Sequence, residues 1–586
     1  MDALRSRNQT TAIRLLCGSL IVALFALIGR LIYINERQGP TLLARADRQQ
    51  RSFHPLKDRR GLIVDARGRM IAGTMLRKSI FADPKVIPDK EEAAQRLSEI
   101  LGIDSAEIGP DLIAADDQRF FVIKRGVNDE QAELVKATGI HGLGTFDEPY
   151  RTYPMNSLAG ALIGFVAADG HGVSGIEYQC ESWLRGEAGL KTIIRDAGRK
   201  AFWLADGGYR PPRDGMHVVL TIDTEIQASV ERELEACIEK YHAQSAVAIV
   251  MHPSTGAILA MANVPSFDPN NYQDSQPARY RNRAITDPYE PGSTYKPFIA
   301  AGALAENCVH LGETFNCENG SYAEGARVLH DHHPYGNLTF EEVLIKSSNI
   351  GMAKIGRKMG NQRLHKYVKA FGFGDKTGID ITGEDPGIVQ PFNRWTSFTT
   401  SSIPMGQEIA VTPLQMARAF CVFANGGYLV QPFVIRAVLA PDGQLISDFS
   451  NPPNKGRVLP EKIVKAMKEK VLEPIIEVGT GKASRLAYYK VFGKTGTAQM
   501  ARHGGGGYEK DAYVSSFIAA APGDDPQLVV IVAVTRPKKS IGYYGGTVAA
   551  PVVKNILAHA LAYLQIDPDK KPGPESSSVV AGPAAD

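Results

Sequence analysis

Cysteine is scarce and unpatterned in this chain of 586 residues. Six occur (Cys17, Cys180, Cys237, Cys308, Cys317 and Cys421), and no two form a CxxC pair, which removes support for zinc-ribbon and thioredoxin readings. Cys308 and Cys317 are near enough in sequence to bridge in an oxidising compartment, whereas most of the six read as free, buried thiols. An excess of charge of one sign is lacking too. Lys and Arg total 66 against 63 Asp and Glu, a formal net charge of +3, so nothing points to nucleic acid or another polyanionic partner. A metal-ligand pattern is also missing. His330, Asp331, His332 and His333 cluster near Cys317, but without standard zinc spacing, and an exposed polar loop explains them equally well. No metal and no cofactor is expected. After about Asn35 there is no second apolar run long enough to span a bilayer.

The first run is a strong signal. Leu15 to Gly29 is uncharged and almost wholly apolar, and Ile13 together with Leu31 to Ile34 extends it to the roughly 20 residues that cross a membrane. Arg14 and Arg30 sit near the ends, where long side chains reach the interface. Arg5, Arg7 and Arg14 favour a cytoplasmic N-terminus. A cleaved signal peptide is the weaker reading, because no small-x-small site follows before Asn35. The remainder is expected beyond the membrane.

The length calls for two or more domains, and 44% hydrophobic with 22% charged residues is a globular composition. Residues 35–215 are mixed in pattern. Short strands with turns are expected at Arg60–Gly68 and around Arg151–Pro154, with a helix near Lys90–Leu101 between them. A boundary is expected near Pro211–Gly215. Ile222–Tyr241 reads as a helix. Ala246–Met251 and Ala257–Ala262 read as a hairpin across Pro253-Ser254-Thr255-Gly256. Three later strands are expected at Val491–Gln499, Tyr513–Ala521 and Leu528–Thr535, the first two separated by a Gly504–Gly507 loop, and a closing helix at Ala549–Leu564. Two strands early, three late and helices between them imply one mostly antiparallel sheet with a helical insertion, an α+β fold. Pro413–Ala424, capped by Thr412 and stopped at Gly426-Gly427, reads as a core helix. The tail from Pro568, rich in Pro, Ser, Gly and Ala, reads as disordered.

Three short motifs carry chemistry. In Pro291-Gly292-Ser293-Thr294-Tyr295-Lys296 a helix start places Ser293 and Lys296 at i and i+3 on one face. Pro297 falls in the first turn, where its missing N–H costs little. A serine hydroxyl needs a base, and a lysine of lowered pKa is one. The helix N-terminus adds positive potential and free N–H groups for an oxyanion. Alone, this pattern reads as well as a Ser N-cap before a surface lysine. Ser347-Ser348-Asn349 falls between a helix opened by the capping box Thr339–Glu342 and a second helix, so Ser347 and Asn349 can reach one cleft. Alone, it reads as turn chemistry. Lys494-Thr495-Gly496-Thr497 lies in a strand. Lys494 and Thr495 can bind a carboxylate, Gly496 lets a ligand backbone approach, and the Thr497 N–H can complete an oxyanion hole. Alone, it reads as an edge strand with a glycine bulge.

Together, in this order and context, SxxK, SxN and KTG resemble the motif set of penicillin-binding proteins and serine β-lactamases. The chain is most similar to the class B penicillin-binding proteins, monofunctional peptidoglycan D,D-transpeptidases. Arg60-Gly61 through Asp65 and Gly68, Arg151-x-Tyr153-Pro154, Gly164, Gly175-Ile176-Glu177, Leu220–Asp223, Asn282-Arg283-Ala284, Gly378-Ile379, Gly383-Glu384, Val411–Gln415 and Tyr544-Gly545-Gly546 match boxes of that class. The resemblance implies a penicillin-binding transpeptidase fold, with an antiparallel five-stranded sheet flanked by helices and a helical subdomain. It also implies the division 1–12 cytoplasmic tail, 13–34 transmembrane helix, 35–215 elongated N-terminal pedestal, 216–566 transpeptidase domain and 567–586 disordered tail. Ser293, Lys296, Ser347, Asn349 and Lys494 are the catalytic residues it implies, with Thr495, Gly496 and Thr497 binding substrate. Its substrates are donor and acceptor stem peptides, its inhibitors β-lactams, and its expected partner a SEDS-family glycosyltransferase. The expected place is the inner membrane, with the catalytic domain in the periplasm. The short segment Asp169–Gly175 and the run Arg281–Asp287 resemble the division (FtsI-type) branch, with an elongation role as the alternative. A β-lactamase rarely carries an anchor and a large N-terminal domain, a β-lactam sensor has several spans, and a non-catalytic scaffold would tolerate loss of Ser293 or Lys296.

Overall fold

The computed structural model of the chain describes residues 2–195, 201–325, 327–453, 455–502 and 507–570. The expected tail lies, from residue 571, outside the described residues, as does most of the Gly504–Gly507 loop. The chain forms two compact units, Met1–Arg59 with Gly186–Asp214, and Arg60–Arg185 with Gly215–Asp586.

In the first unit the helix Asp2–Tyr33 passes through a π-turn, Ile34–Gln38, into a second helix, Gly39–Gln50. Helical structure therefore runs past both ends of the expected 13–34. Pro40 does not stop it; the widened π-turn Ile34–Gln38 lies almost directly before it, where a helix that continues must accommodate a residue with no N–H. Leu15, Leu16, Leu20, Ile21, Val22 and Phe25 are all exposed and together reach every side of the helix. A helix apolar on every side and unburied suits lipid, and Arg7–Ala46 contains a window of mean hydropathy 2.4 with none of it buried. Arg51–Leu56, Gly189–Arg195 and Ala201–Arg210 pair as a three-stranded antiparallel sheet.

The second unit holds two larger sheets. One has seven strands, in the order Leu445–Asp448, Ile435–Leu439, His217–Leu220, Ile63–Val64, Met70–Ala82, Phe121–Val127, with Leu143–Thr152 also on Met70–Ala82. Ile63–Val64, all that is strand in the expected 60–68 run, pairs in parallel with Val218–Val219. Sequence on both sides of 215 thus shares one sheet. The boxes near its start converge on one buried ion cluster. Glu177, with 0% exposure, accepts from Arg60 Nε at 2.7 Å, Arg151 Nε at 2.7 Å and the Tyr153 hydroxyl at 3.2 Å. Arg60 also donates to Glu181 at 2.6 Å, and Arg151 to the Gly61 carbonyl at 2.6 Å. Removing one member of a buried pair strands the rest without compensation. Glu177→Ala is therefore expected to lower stability by about 3–5 kcal/mol, read as a shifted urea midpoint at unchanged slope.

The other sheet carries the site. Its strands are β1 (Ser245–Met251), β2 (Ile258–Val264), β3 (Phe492–Ala501), β4 (Tyr508–Ala521) and β5 (Leu528–Thr535), in spatial order β2-β1-β5-β4-β3, antiparallel throughout. β1, buried at every position, has the continuous apolar run of a strand covered on both faces. Helices α1 (Thr224–Tyr241) and α2 (Gly545–Tyr563) pack on each other, α1 on β2 and α2 on β4 and β5. α1 begins at Thr224 rather than Ile222, because Asp223 caps it by accepting from the Glu225 N–H. The helix Pro413–Ala424, opened by a Thr412–Gln415 capping box, packs on β5 and β1 with all its residues buried. Between β2 and β3 lies the helical insertion that supplies the rest of the site.

Candidate active site

The segment before Ser293 is fixed by an amide pair. Asn282 Oδ1 accepts from Asn263 Nδ2 of β2 at 3.0 Å, and Asn263 Oδ1 accepts from the Ala284 N–H at 3.2 Å. The chain then enters a 3-10 turn, Gly292–Tyr295, that runs directly into the helix Lys296–Ala305. The Lys296 N–H donates to the Ser293 carbonyl, so the two side chains follow each other by one turn. Ser293 is half-buried, Lys296 fully buried.

Ser347-Ser348-Asn349 joins the helices Phe340–Ile345 and Asn349–Ala370. The Thr339–Glu342 capping box is present. Ser347 adopts φ 61°, a left-handed conformation that serine rarely takes. It aims both its oxygens inward. Lys296 Nζ donates to the Ser347 carbonyl at 2.7 Å, the Ser347 hydroxyl at 3.2 Å and Asn349 Oδ1 at 2.9 Å. Lys494 Nζ, from near the start of β3, donates to the same Ser347 hydroxyl at 3.0 Å and to the Thr495 carbonyl at 3.0 Å. Two amines from distant parts of the chain therefore meet on one hydroxyl. Burial lowers the Lys296 ammonium to about 7, against the opposing negative charge of Asp331. Lys494 is pushed well below the ordinary lysine range, first by burial and then by the positive charge of Lys296.

On β3 the Thr495 hydroxyl shares a 2.7 Å hydrogen bond with that of Thr480, and Thr497 Oγ1 accepts from the Gly545 N–H at 3.0 Å. At Gly496 the space a side chain would take is filled by protein. A Cβ would lie 2.6 Å from Ser516 Oγ, 2.8 Å from Thr294 Cγ2 and 3.0 Å from the Pro291 carbonyl. The glycine seats the nucleophile turn against β3. Gly545 does the same for α2, where a Cβ would lie 2.2 Å from the Gly496 carbonyl. Neither β3 irregularity nor bulge falls at Gly496; the register shift comes later, between Gln499 and Ala501. Gly496→Ala is expected to overpack this contact at a cost of about 1–3 kcal/mol, seen as a lowered Tm.

Lys296, Ser347, Asn349 and Lys494 thus come from three separate segments into one hydrogen-bonded network, with Ser293 one helical turn before Lys296. Such a set can hold a neutral amine beside a serine, pass a proton through a second hydroxyl, and present strand N–H groups to an oxyanion.

Sequence reasoning missed three contributors. Asp331 accepts from the Ser348 hydroxyl at 2.6 Å and from the N–H groups of Asn349 and Ile350. His332 Nε2 lies 2.6 Å from the Tyr544 hydroxyl, linking the segments beside Asn349 and beside Thr497. Thr480 orients Thr495. The His330–His333 cluster was the available signal for the first two. Cys317, beside this cluster, is buried, and Ser348 Oγ lies 3.3 Å from its sulfur. Cys308 and Cys317 are both free thiols, so the bridge that their spacing allows is not formed. Among the described residues no three His, Cys, Asp or Glu side chains gather as a metal would require.

The sequence profile of the penicillin-binding protein transpeptidase domain matches residues 246–558, and that of the penicillin-binding protein dimerisation domain residues 55–220. Stage V sporulation protein D of Bacillus subtilis is 34% identical over 573 residues, 97% of this chain and 88% of the relative. Peptidoglycan D,D-transpeptidase FtsI of Escherichia coli is 30% identical, over 95% of this chain and 92% of the relative. The crystal structure of penicillin binding protein 3 from Mycobacterium tuberculosis complexed with ampicillin superimposes with a TM-score of 0.69 at 26% identity, covering 89% of this chain and 98% of that one. With a transpeptidase profile spanning more than half its length and relatives aligned almost end to end, the chain belongs to the penicillin-binding protein transpeptidase family.

Proposed function

We propose that this protein is a membrane-anchored peptidoglycan D,D-transpeptidase that cross-links stem peptides by serine acyl transfer and is acylated by β-lactams. The observation that carries the reading is the meeting of Lys296 and Lys494 on the Ser347 hydroxyl, one helical turn from Ser293.

The steps follow from that geometry. The neutral Lys296 amine takes the Ser293 proton as Oγ attacks the penultimate D-Ala carbonyl of the donor. The N–H groups of Ser293 and Thr497 receive the oxyanion, while Asn349 binds the donor's amide. Thr495, with Lys494 behind it, faces the terminal carboxylate. When the C–N bond breaks, the Ser347 hydroxyl gives its proton to the departing D-Ala amine and is reprotonated from the lysine pair. The amine of a second stem peptide then attacks the ester, its C–O bond breaks, and Ser293 regains a proton. A β-lactam follows the first half of this path, and no residue of the site is identifiable as a base for hydrolysing its ester.

The catalytic unit works on the periplasmic side, in line with Arg5, Arg7 and Arg14 before the spanning helix. The role is septal, with the membrane helix and N-terminal region suited to a SEDS-family glycosyltransferase. The relative named FtsI and the short Asp169–Gly175 segment support that branch. Depletion with imaging tests the pathway. Midcell localisation and filamentation are expected, whereas rounded cells would move the protein to lateral-wall synthesis. For the chemistry, the purified full-length protein should retain a fluorescent penicillin through denaturing electrophoresis; rapid turnover of the drug would indicate a β-lactamase instead.

A further inference from the structure

Asp331 takes no part in the steps above, yet its carboxylate touches the turn on which they depend. It follows the strand Arg327–His330. One oxygen accepts from the backbone N–H groups of Asn349 and Ile350, the latter at 3.0 Å, and the other accepts from the Ser348 hydroxyl at 2.6 Å. Those N–H groups open the helix Asn349–Ala370 and have no partner within it, so a carboxylate there is doubly favoured, by hydrogen bonding and by the helix dipole. The preceding residue, His330, uses its carbonyl to accept from Asn349 Nδ2 at 3.0 Å, which turns Asn349 Oδ1 toward Lys296. Ser347 is held left-handed immediately before this anchored pair.

We propose that Asp331 is a positioning residue for the acylation step: its carboxylate locks the Ser347–Asn349 turn and so holds Ser347 and Asn349 against the Lys296 amine. The inference rests on the reading of Lys296 as the base. Two influences on that amine are then separable. Burial disfavours its charged form, and the Asp331 carboxylate favours it. Lys296 also faces Lys494 of β3, and the neutral Ser347 and Asn349. Around Asp331 stand Cys317 and Tyr335, both raised first by burial, with Lys354 acting on Cys317. None of these supplies the carboxylate's effect on Lys296.

Asp331→Asn keeps the shape and the two backbone bonds while removing the charge. Loss of the charge weakens the base, so the acidic limb of the acylation profile moves to lower pH and the plateau falls. The test is the second-order rate of labelling of the full-length protein in detergent by a fluorescent penicillin, across pH, with thermal melting alongside. A limb moved by about half a pH unit or more toward acid, with a plateau lower by about two- to threefold, is expected for Asp331→Asn. Asp331→Glu, which keeps the charge, should return the limb to its wild-type place. A limb that stays put in Asp331→Asn, or moves toward alkali, overturns the proposal. If Asp331→Asn shows no cooperative melt, Asp331→Ser replaces it. Failure of both neutral variants to fold while Asp331→Glu folds would leave a purely structural role and also overturn it. Wild type that takes no label at all would instead sink the transpeptidase reading itself.

Discussion

Ser293→Ala abolishes covalent labelling by a fluorescent penicillin while leaving the thermal melt of the protein close to wild type. The loss is complete rather than partial because the label is retained only as an ester of Oγ, and alanine has no atom to form it. The fold should tolerate the change. Ser293 is half-buried in a turn whose bonds come from other groups, the Thr294 hydroxyl to the Pro291 carbonyl at 2.7 Å and the Lys296 N–H to the Ser293 carbonyl. Removing one exposed-side oxygen leaves both in place. Gel fluorescence of wild type and variant at matched concentration reads the result, and residual labelling would mean that another nucleophile carries the acyl group.

Lys296→Met should cost about 10²–10⁴ in the acylation rate, the usual worth of a positioned general base. Methionine fills a similar volume without charge, so loss of folding is not the expected cause. The wild-type enzyme should also show an acidic limb near pH 7, because burial lowers this amine to about 7 and the protonated form cannot accept the serine proton. The same shift links pH to stability. Between about 7 and the ordinary lysine value of 10.5 the unfolded lysine holds a proton that the folded one has given up, so this group's contribution to stability rises with pH across that window. Stopped-flow acylation across pH checks the limb, and its disappearance in Lys296→Met ties it to this residue.

The parts of the site legible in the sequence are those whose chemistry depends on local spacing. SxxK needs a helix start, and Pro291-Gly292 before and Pro297 after mark one. SxN needs an interhelical turn, and the Thr339–Glu342 box with the downstream helical pattern marks its limits. KTG needs a strand beside other strands, and the apolar runs at 513–521 and 528–535 provide them. What stayed hidden depends on contacts between segments far apart in the chain. Asp331 acts at Asn349, Thr480 at Thr495, and His332 at Tyr544, and nothing at any one of these positions names its partner. Gly496 illustrates a subtler gap. Its lack of a side chain is visible in the sequence, but a glycine beside a ligand and a glycine beside the nucleophile turn look the same there. The fold was legible to a similar degree. The central strands announced themselves by continuous apolar runs. The seven-stranded sheet did not, because its Ile63–Val64 member has two residues and pairs with a strand more than 150 positions later.

The most direct measurement is peptide mass mapping of the full-length protein after exposure to benzylpenicillin. The account predicts a single adduct of one intact penicilloyl group, carried by the peptide that contains Ser293. An adduct on any other peptide, or a protein that remains unmodified at drug concentrations saturating for labelled relatives, would contradict it.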